Sequence, residues 1–287
     1  MSAVFGPAGN SNAFYEAGLK ASVQMPGYLE KIGLDAYEYQ CGKGVNISAQ
    51  TARSLGLKAK EHGIRLSLHA PYYINLANPD EQKRENTIGY IIASLRAAQE
   101  MGADRIVVHS GALMKMTRRE ALDVALVTMR TAVEAADAEG FSDIHICPET
   151  MGKINQLGDL DEVIELCRVD DRLLPVIDFG HLNARTLGGI KTGEDYAYIL
   201  DKIENGLGRD RLNVFHSHFS KIEYTKGGEK RHLTFADDLF GPEFEPLAEL
   251  IAKKSLSPVF ICESDGTQTD DALSMKKMYR SFLGEGI

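Results

Sequence analysis

Six β-rich runs of the chain end on an ionisable side chain. LSLHAPYYINLANPD carries His69 and RIVVHSGA carries His109. IHICPET ends on Glu149, and PVIDFGH on Asp178 with His181 three residues later. VFHSHFSK holds His216 and His218, and FICESDG holds Glu263. A half-buried imidazole needs a structural hydrogen bond, a proton to move, or a metal. Taken alone, each residue has a plain structural use. A strand-end histidine is most often a hydrogen-bonder, and Asp178 could cap a turn. Converging ends are another matter, because clustered carboxylates repel one another and resist leaving water. Divalent cations reverse that local balance. Mixed imidazole and carboxylate donors suit Zn²⁺, with Mn²⁺ or Fe²⁺ also compatible. So many candidate ligands imply more than one ion. Two ions ~3.5–4 Å apart are a device for displacement at phosphorus. Glu149, near the middle of the series, is the natural bridge between them.

The elements that must carry these residues alternate along the chain. β-rich runs at 4–5, 36–40, 65–69, 105–109, 144–149, 174–178, 212–216 and 259–263 are separated mostly by amphipathic helical stretches. The helices are expected at 49–62, 81–101, 118–139, 159–167, 194–207, 243–254 and 270–283. Gly63, Gly102 and Gly140 stand where helices commonly stop. Eight strands, each followed by a helix, read as an α/β protein: one (β/α)₈ barrel domain over residues 1–287. Its first unit is the least defined. A doubly wound open sheet is the structural runner-up, but FGPAGNSN lacks the glycine spacing of a dinucleotide site. In a barrel, the active site gathers at the C-terminal strand ends, where the ionisable ends of the six runs fall. Strand alternation adds that His216 and His218 face the same way, that His145 and Cys147 lie deeper on the face of Glu149, and that Cys262 points toward the helices.

Composition narrows the class. The chain is 44% hydrophobic and 25% charged, an ordinary globular balance. Cys41, Cys147, Cys167 and Cys262 form no CxxC pair, and are expected as reduced, buried thiols. The first apolar residues are interrupted by Gly6, Pro7 and Gly9, unlike a signal peptide, and no run approaches membrane-spanning length. A cytoplasmic protein without membrane contact or an obligate protein partner is expected. The net charge of −9 argues against a broad basic groove for nucleic acid. It leaves room for a site whose positive charge comes from bound ions.

SLHAPYYINLANPD, RIVVHSGA, PETMGK, VIDFGH, FHSHFSK and ICES resemble, in order, the motifs of the endonuclease IV family. These are the zinc-dependent apurinic/apyrimidinic endonucleases of base excision repair, members of the xylose isomerase-like TIM barrel superfamily. The resemblance runs from Arg65 to Glu263. It implies two or three zinc ions. His69, His109 and Glu149 would hold one; Glu149, Asp178, His216 and Glu263 a second. His181 and His232 would hold a third, with an aspartate from an Asp-Arg-His stretch. GGEKRHLTF has Lys230 at that place, so Glu229 or His218 would have to substitute. The implied reaction is DNA hydrolysis 5′ to an abasic site in damaged duplex DNA, with Glu149 as the catalytic carboxylate. Lys221 and Arg231 could touch phosphate or simply face solvent. Tyr72 and Tyr73 could press on a base step or pack at the rim. The segment YEYQCGKGVNIS, where the family carries DNA-contacting residues, has Lys43 as its only cation. The superfamily also contains sugar isomerases and epimerases, so the alternative reading is a metal-dependent isomerase or epimerase acting on a small sugar or sugar phosphate. A third class, a non-catalytic metal- or nucleic-acid-binding protein, would not depend on Glu149.

Overall fold

In the computed structural model, which describes residues 2–284, the β-rich runs assemble into one eight-stranded parallel sheet. Its strands are β1 (Val4–Pro7), β2 (Ala36–Gln40), β3 (Arg65–His69), β4 (Arg105–His109), β5 (His145–Glu149), β6 (Val176–Asp178), β7 (His216–Phe219) and, after a hairpin of β8 (Ile222–Thr225) and β9 (Gly228–His232), β10 (Val259–Cys262). The spatial order is β1-β10-β7-β6-β5-β4-β3-β2. The ends meet where Asp35 N donates to Phe5 O and Gly9 N to Glu38 O, both at 2.9 Å. An Ala8–Glu38 bridge completes the join. Gly6 is what permits it: a Cβ there would stand 1.8 Å from Ala36 O. The protein is thus an α/β barrel with helices between its strands.

Local signals set the helix bounds. Between β2 and β3 runs α3 (Ala49–Glu61), whose N-terminus Ser48 caps. Asp80 caps α4 (Glu81–Met101), which ends on the left-handed Gly102. Capping boxes open α5 (Arg118–Ala138), through Thr117 and Glu120, and α6 (Leu160–Cys167), through Asp159 and Glu162. The unit expected to be weakest is a broken one, with α1 (Asn12–Glu16), a 3₁₀ turn and α2 (Met25–Ile32). Further helices are α7 (Phe179–Arg185), α8 (Gly193–Leu207), α9 (Arg209–Asn213), α10 (Glu245–Lys253) and α11 (Gln268–Leu283).

The strand expected at 212–216 is displaced. Residues 209–213 coil into α9, and β7 begins only at His216. The consequence is a shift in layers. His216 pairs with Val176 and Val259 low in the barrel, whereas His218 pairs with Asp178 and Ile261 near the mouth.

Most apolar side chains pack between sheet and helices. Two small clusters fill the barrel's interior: Ala8, Ala36, Val259 and Ile261, and Val107, Cys147, Leu174 and Val176. All four cysteines are buried free thiols, and Cys262 packs with the outer core as alternation requires. Among the described residues, no helix is long and apolar enough to cross a membrane.

Gly6→Ala should weaken the closure of the barrel. The added methyl has only backbone to displace, so the expected loss is about 1–3 kcal/mol. Thermal unfolding would read this as a fall of several degrees in Tm. An unchanged Tm would show that the β1–β2 seam is not tightly packed.

Candidate metal centre

The strand ends do converge, and Glu149 lies at the centre. Its carboxylate is buried, with one oxygen turned to each of two groups of donors. Oε2 stands 3.4 Å from His69 Nε2 and 3.5 Å from His109 Nε2. Oε1 stands 2.9 Å from His218 Nδ1 and 3.5 Å from His181 Nδ1. Asp178 and Glu263 complete the second group, with Glu263 Oε2 3.5 Å from His218 Nδ1. A third group lies alongside: His181, Glu229 and His232, with His181 Nε2 3.5 Å from Glu229 Oε2.

Several observations fit these groups to metal ions. Glu149 Oε2 and Asp178 Oδ2 are buried and have no hydrogen-bond partner, an expensive arrangement unless something positive faces them. Donors ~2 Å from a shared tetrahedral ion stand about 3.3 Å apart, close to the 3.4–3.5 Å separations at Glu149 Oε2. The imidazoles are also held from behind. Nδ1 of His69, His109 and His181 donates to the carbonyls of Ala70, Tyr72 and Thr150 at 2.7, 2.9 and 2.9 Å. Nδ1 of His232 bonds Ser220 Oγ at 2.8 Å. Each ring so fixed turns Nε2 inward, the usual orientation of a ligating histidine.

Electrostatics agree. Burial alone would lower the pKa of His69, but Glu149 and Glu38 raise it to about 9. Burial opposes charge on His181 and His218 too. Asp178 and Glu149 nevertheless hold His181 well above its ordinary value, and Glu263, Glu38 and Glu149 do the same for His218. At His109 burial wins, and the pKa falls to about 4. Burial would raise Glu149, yet His218, His181 and His69 keep it well below the usual carboxylate range. The carboxylates thus favour charged rings at His69, His181 and His218 in the metal-free protein; bound cations would displace those protons.

The structure moves one expected ligand. His216 is not in the group with Glu149, Asp178 and Glu263, where His218 takes its place; it falls instead in a separate buried cluster with Glu38 and His218. The late start of β7 is the reason, since it sinks His216 by one layer. His216 instead bonds Glu38 Oε2 at 3.0 Å. The lysine at 230 is also resolved. β8 and β9 pair Glu223 with Arg231 but Tyr224 with Glu229, so Lys230 is the extra residue of a bulge. That bulge returns Glu229 to the face of His232. Lys230 turns away to Glu223 at 2.6 Å. The hairpin is anchored by Glu229 N on Gly152 O at 3.1 Å, and a Cβ on Gly152 would stand 2.6 Å from Glu229 Cβ and 2.9 Å from His181 Cδ2. Glycine there makes room for the third group.

A model of the xylose isomerase-like TIM barrel family matches residues 27–281. The chain belongs to this family. It is 35% identical over 250 residues to an uncharacterized protein of Methanocaldococcus jannaschii, covering 86% of this chain and 88% of the relative. Over 201 residues it is 29% identical to a probable endonuclease 4 of Mycoplasma pneumoniae, covering 67% and 65%. Among solved structures it resembles a D-tagatose 3-epimerase-like protein, with TM-score 0.68, 23% identity and 88% and 89% coverage. It also resembles endonuclease IV of Thermus thermophilus, with TM-score 0.64, 18% identity and 92% and 95% coverage. Both structures share the fold.

The mouth of this xylose isomerase-like barrel opens into a cleft of 510 Å³ lined by Gln40, His232, Glu263 and Gln268, among others. Arg231 lines it too, exposed and held by Nε on Glu223 at 2.7 Å. Tyr72 and Tyr73 stand exposed on the loop after β3 in edge-to-face contact, and Tyr90 of α4 packs on Tyr73. Lys221 does not reach the cleft as a free cation. It is buried, donating to Asp237 O and pairing with Glu243, each at 2.7 Å. Sequence reasoning misses Glu38, although it is fully buried and bonded to both β7 histidines. Its position between two tyrosines in AYEYQ gives no sign of that.

His218→Ala should lower the divalent-metal content by one ion per chain, and His216→Ala should not. Elemental analysis of protein purified under identical conditions separates the two. Loss on His216→Ala alone would return His216 to the ligand set.

Proposed function

We propose that the protein is a zinc-dependent phosphodiester hydrolase of the endonuclease IV kind, incising DNA 5′ to abasic sites in base excision repair. The observation that carries this reading is the row of three adjoining donor groups, two of which share Glu149 while the third lies alongside through His181. Adjoining cations suit in-line displacement at phosphorus. Ions bound there would supply Lewis acidity and a water of lowered pKa.

The chain's own part is placement. Glu149, clamped between imidazoles of β3, β4 and β7, fixes the separation of the first two groups. Asp178, as N-cap of α7, accepts from His181 N at 2.7 Å and so ties the second group to the third. Half-buried His109 and Glu263 mark the edge at which a phosphodiester would enter. Arg231 leaves guanidinium N–H groups free beside His232 to bind a phosphate oxygen. Tyr72 and Tyr73 offer faces to the base steps flanking a lesion. An abasic nucleotide has no base to unstack, so bringing it to the mouth costs little, which favours damaged over intact DNA.

A second reading, epimerisation or isomerisation of a small sugar or sugar phosphate, is favoured by the net charge of −9 and by the engagement of Lys221. The deciding assay uses a duplex with one tetrahydrofuran site. Zinc-loaded protein should incise it on the 5′ side. Glu149→Gln should slow incision by about 10³-fold or more, about 4 kcal/mol on the barrier. Absence of incision, with turnover of a ketose, would replace this reading by the second.

A further inference from the structure

Below the three donor groups lies a carboxylate outside them, which forms its own buried cluster with His216 and His218. Glu38 of β2 is fully buried and reaches across the barrel to β7, 180 positions further along the chain. Its Oε1 accepts from His218 Nε2 at 3.0 Å and from Gln40 Nε2 at 3.1 Å. Its Oε2 accepts from His216 Nε2 at 3.0 Å and from Ser67 Oγ at 2.8 Å. Ser67 is its direct neighbour on β3. The carboxylate is thus held in its plane from both sides and cannot swing away from His218.

We infer that Glu38 is a positioning residue, which fixes the ring of His218 and the proton on its Nε2 so that Nδ1 is presented to the group of Glu149, Asp178 and Glu263. This rests on the metal reading of that group. The logic is tautomeric. A neutral imidazole carries one N–H, and a ring that gives Nδ1 to a cation keeps its proton on Nε2. A buried N–H there needs an acceptor, and a carboxylate behind a ligating histidine both satisfies it and makes the ligand more basic. His218 differs in this from His69, His109 and His181, which are held through Nδ1 by backbone carbonyls. His216 belongs to the same bracket. It occupies the second oxygen of Glu38 and stops that carboxylate from rotating.

Two variants separate positioning from packing. Glu38→Gln keeps the shape but offers one oxygen and one NH₂, so it cannot accept from both histidines. Glu38→Met keeps most of the volume and accepts from neither. Zinc affinity is measured by chelator competition, alongside Co²⁺ absorption spectra and the thermal unfolding of metal-free protein. His218→Ala serves as the reference. The expected result is about 10–100-fold weaker binding of one ion in both variants, an altered Co²⁺ spectrum, and retained folding. If both variants fold and bind every ion as the wild type does, Glu38 only packs and the inference fails. If His216→Ala loses a whole ion rather than binding one more weakly, His216 and Glu38 ligate a deeper cation and the inference also fails. A full metal complement in His218→Ala overturns the metal reading itself. Because the readouts are metal affinity and spectra, they stand apart from any result with abasic DNA.

Discussion

The structure depends on a carboxylate, Glu149, buried among imidazoles at the mouth of a barrel. Taking such a charge out of water costs several kcal/mol unless opposite charge accompanies it. Here four histidines, His69, His109, His181 and His218, bring an imidazole nitrogen within 3.5 Å of its two oxygens. Removing one partner would leave part of that buried charge unmatched. Its acidity exceeds what neutral imidazoles can offset, and Glu149 Oε2 and Asp178 Oδ2 are left without partners. That deficit is the physical argument for cations.

The barrel makes the deficit tolerable by spreading its supports over many strands. Backbone carbonyls beyond β3 and β5 orient three of the rings. The hairpin after β7 folds back onto Gly152 and delivers Glu229 and His232. Inside the barrel, small apolar clusters fill the wall below, and the Glu38–His216 bracket stiffens the floor of the site. Beyond the mouth, the rim is less specialised. Arg231 and two tyrosines face solvent there, and Lys221 is engaged in structure.

Much of this is legible in the sequence, for identifiable reasons. Caps and terminating glycines lie next to the residues they control, so the expected bounds of α4 match the helix at both ends and the other long helices nearly do. His69, His109, Glu149 and Asp178 are legible because each closes a β-rich run, and Glu263 because it follows one directly. What is lost depends on register and on distance. LNVF looks like strand, yet α9 consumes part of it, and that slip exchanges His216 for His218. The Lys230 bulge moves Glu229 onto the ligand face through a pairing with β8 that no local pattern announces. Glu38 alternates with tyrosines as a solvent-facing residue would; its partners on β7 are far away in sequence.

The central claim is that Glu149 sits between cations held by residues from six strands and the hairpin. Anomalous diffraction from zinc-soaked crystals, recorded across the zinc edge, tests it most directly. Strong peaks are expected on either side of the Glu149 carboxylate, with a further peak among His181, Glu229 and His232. A map with no peak within reach of Glu149, at full zinc exposure, would contradict it.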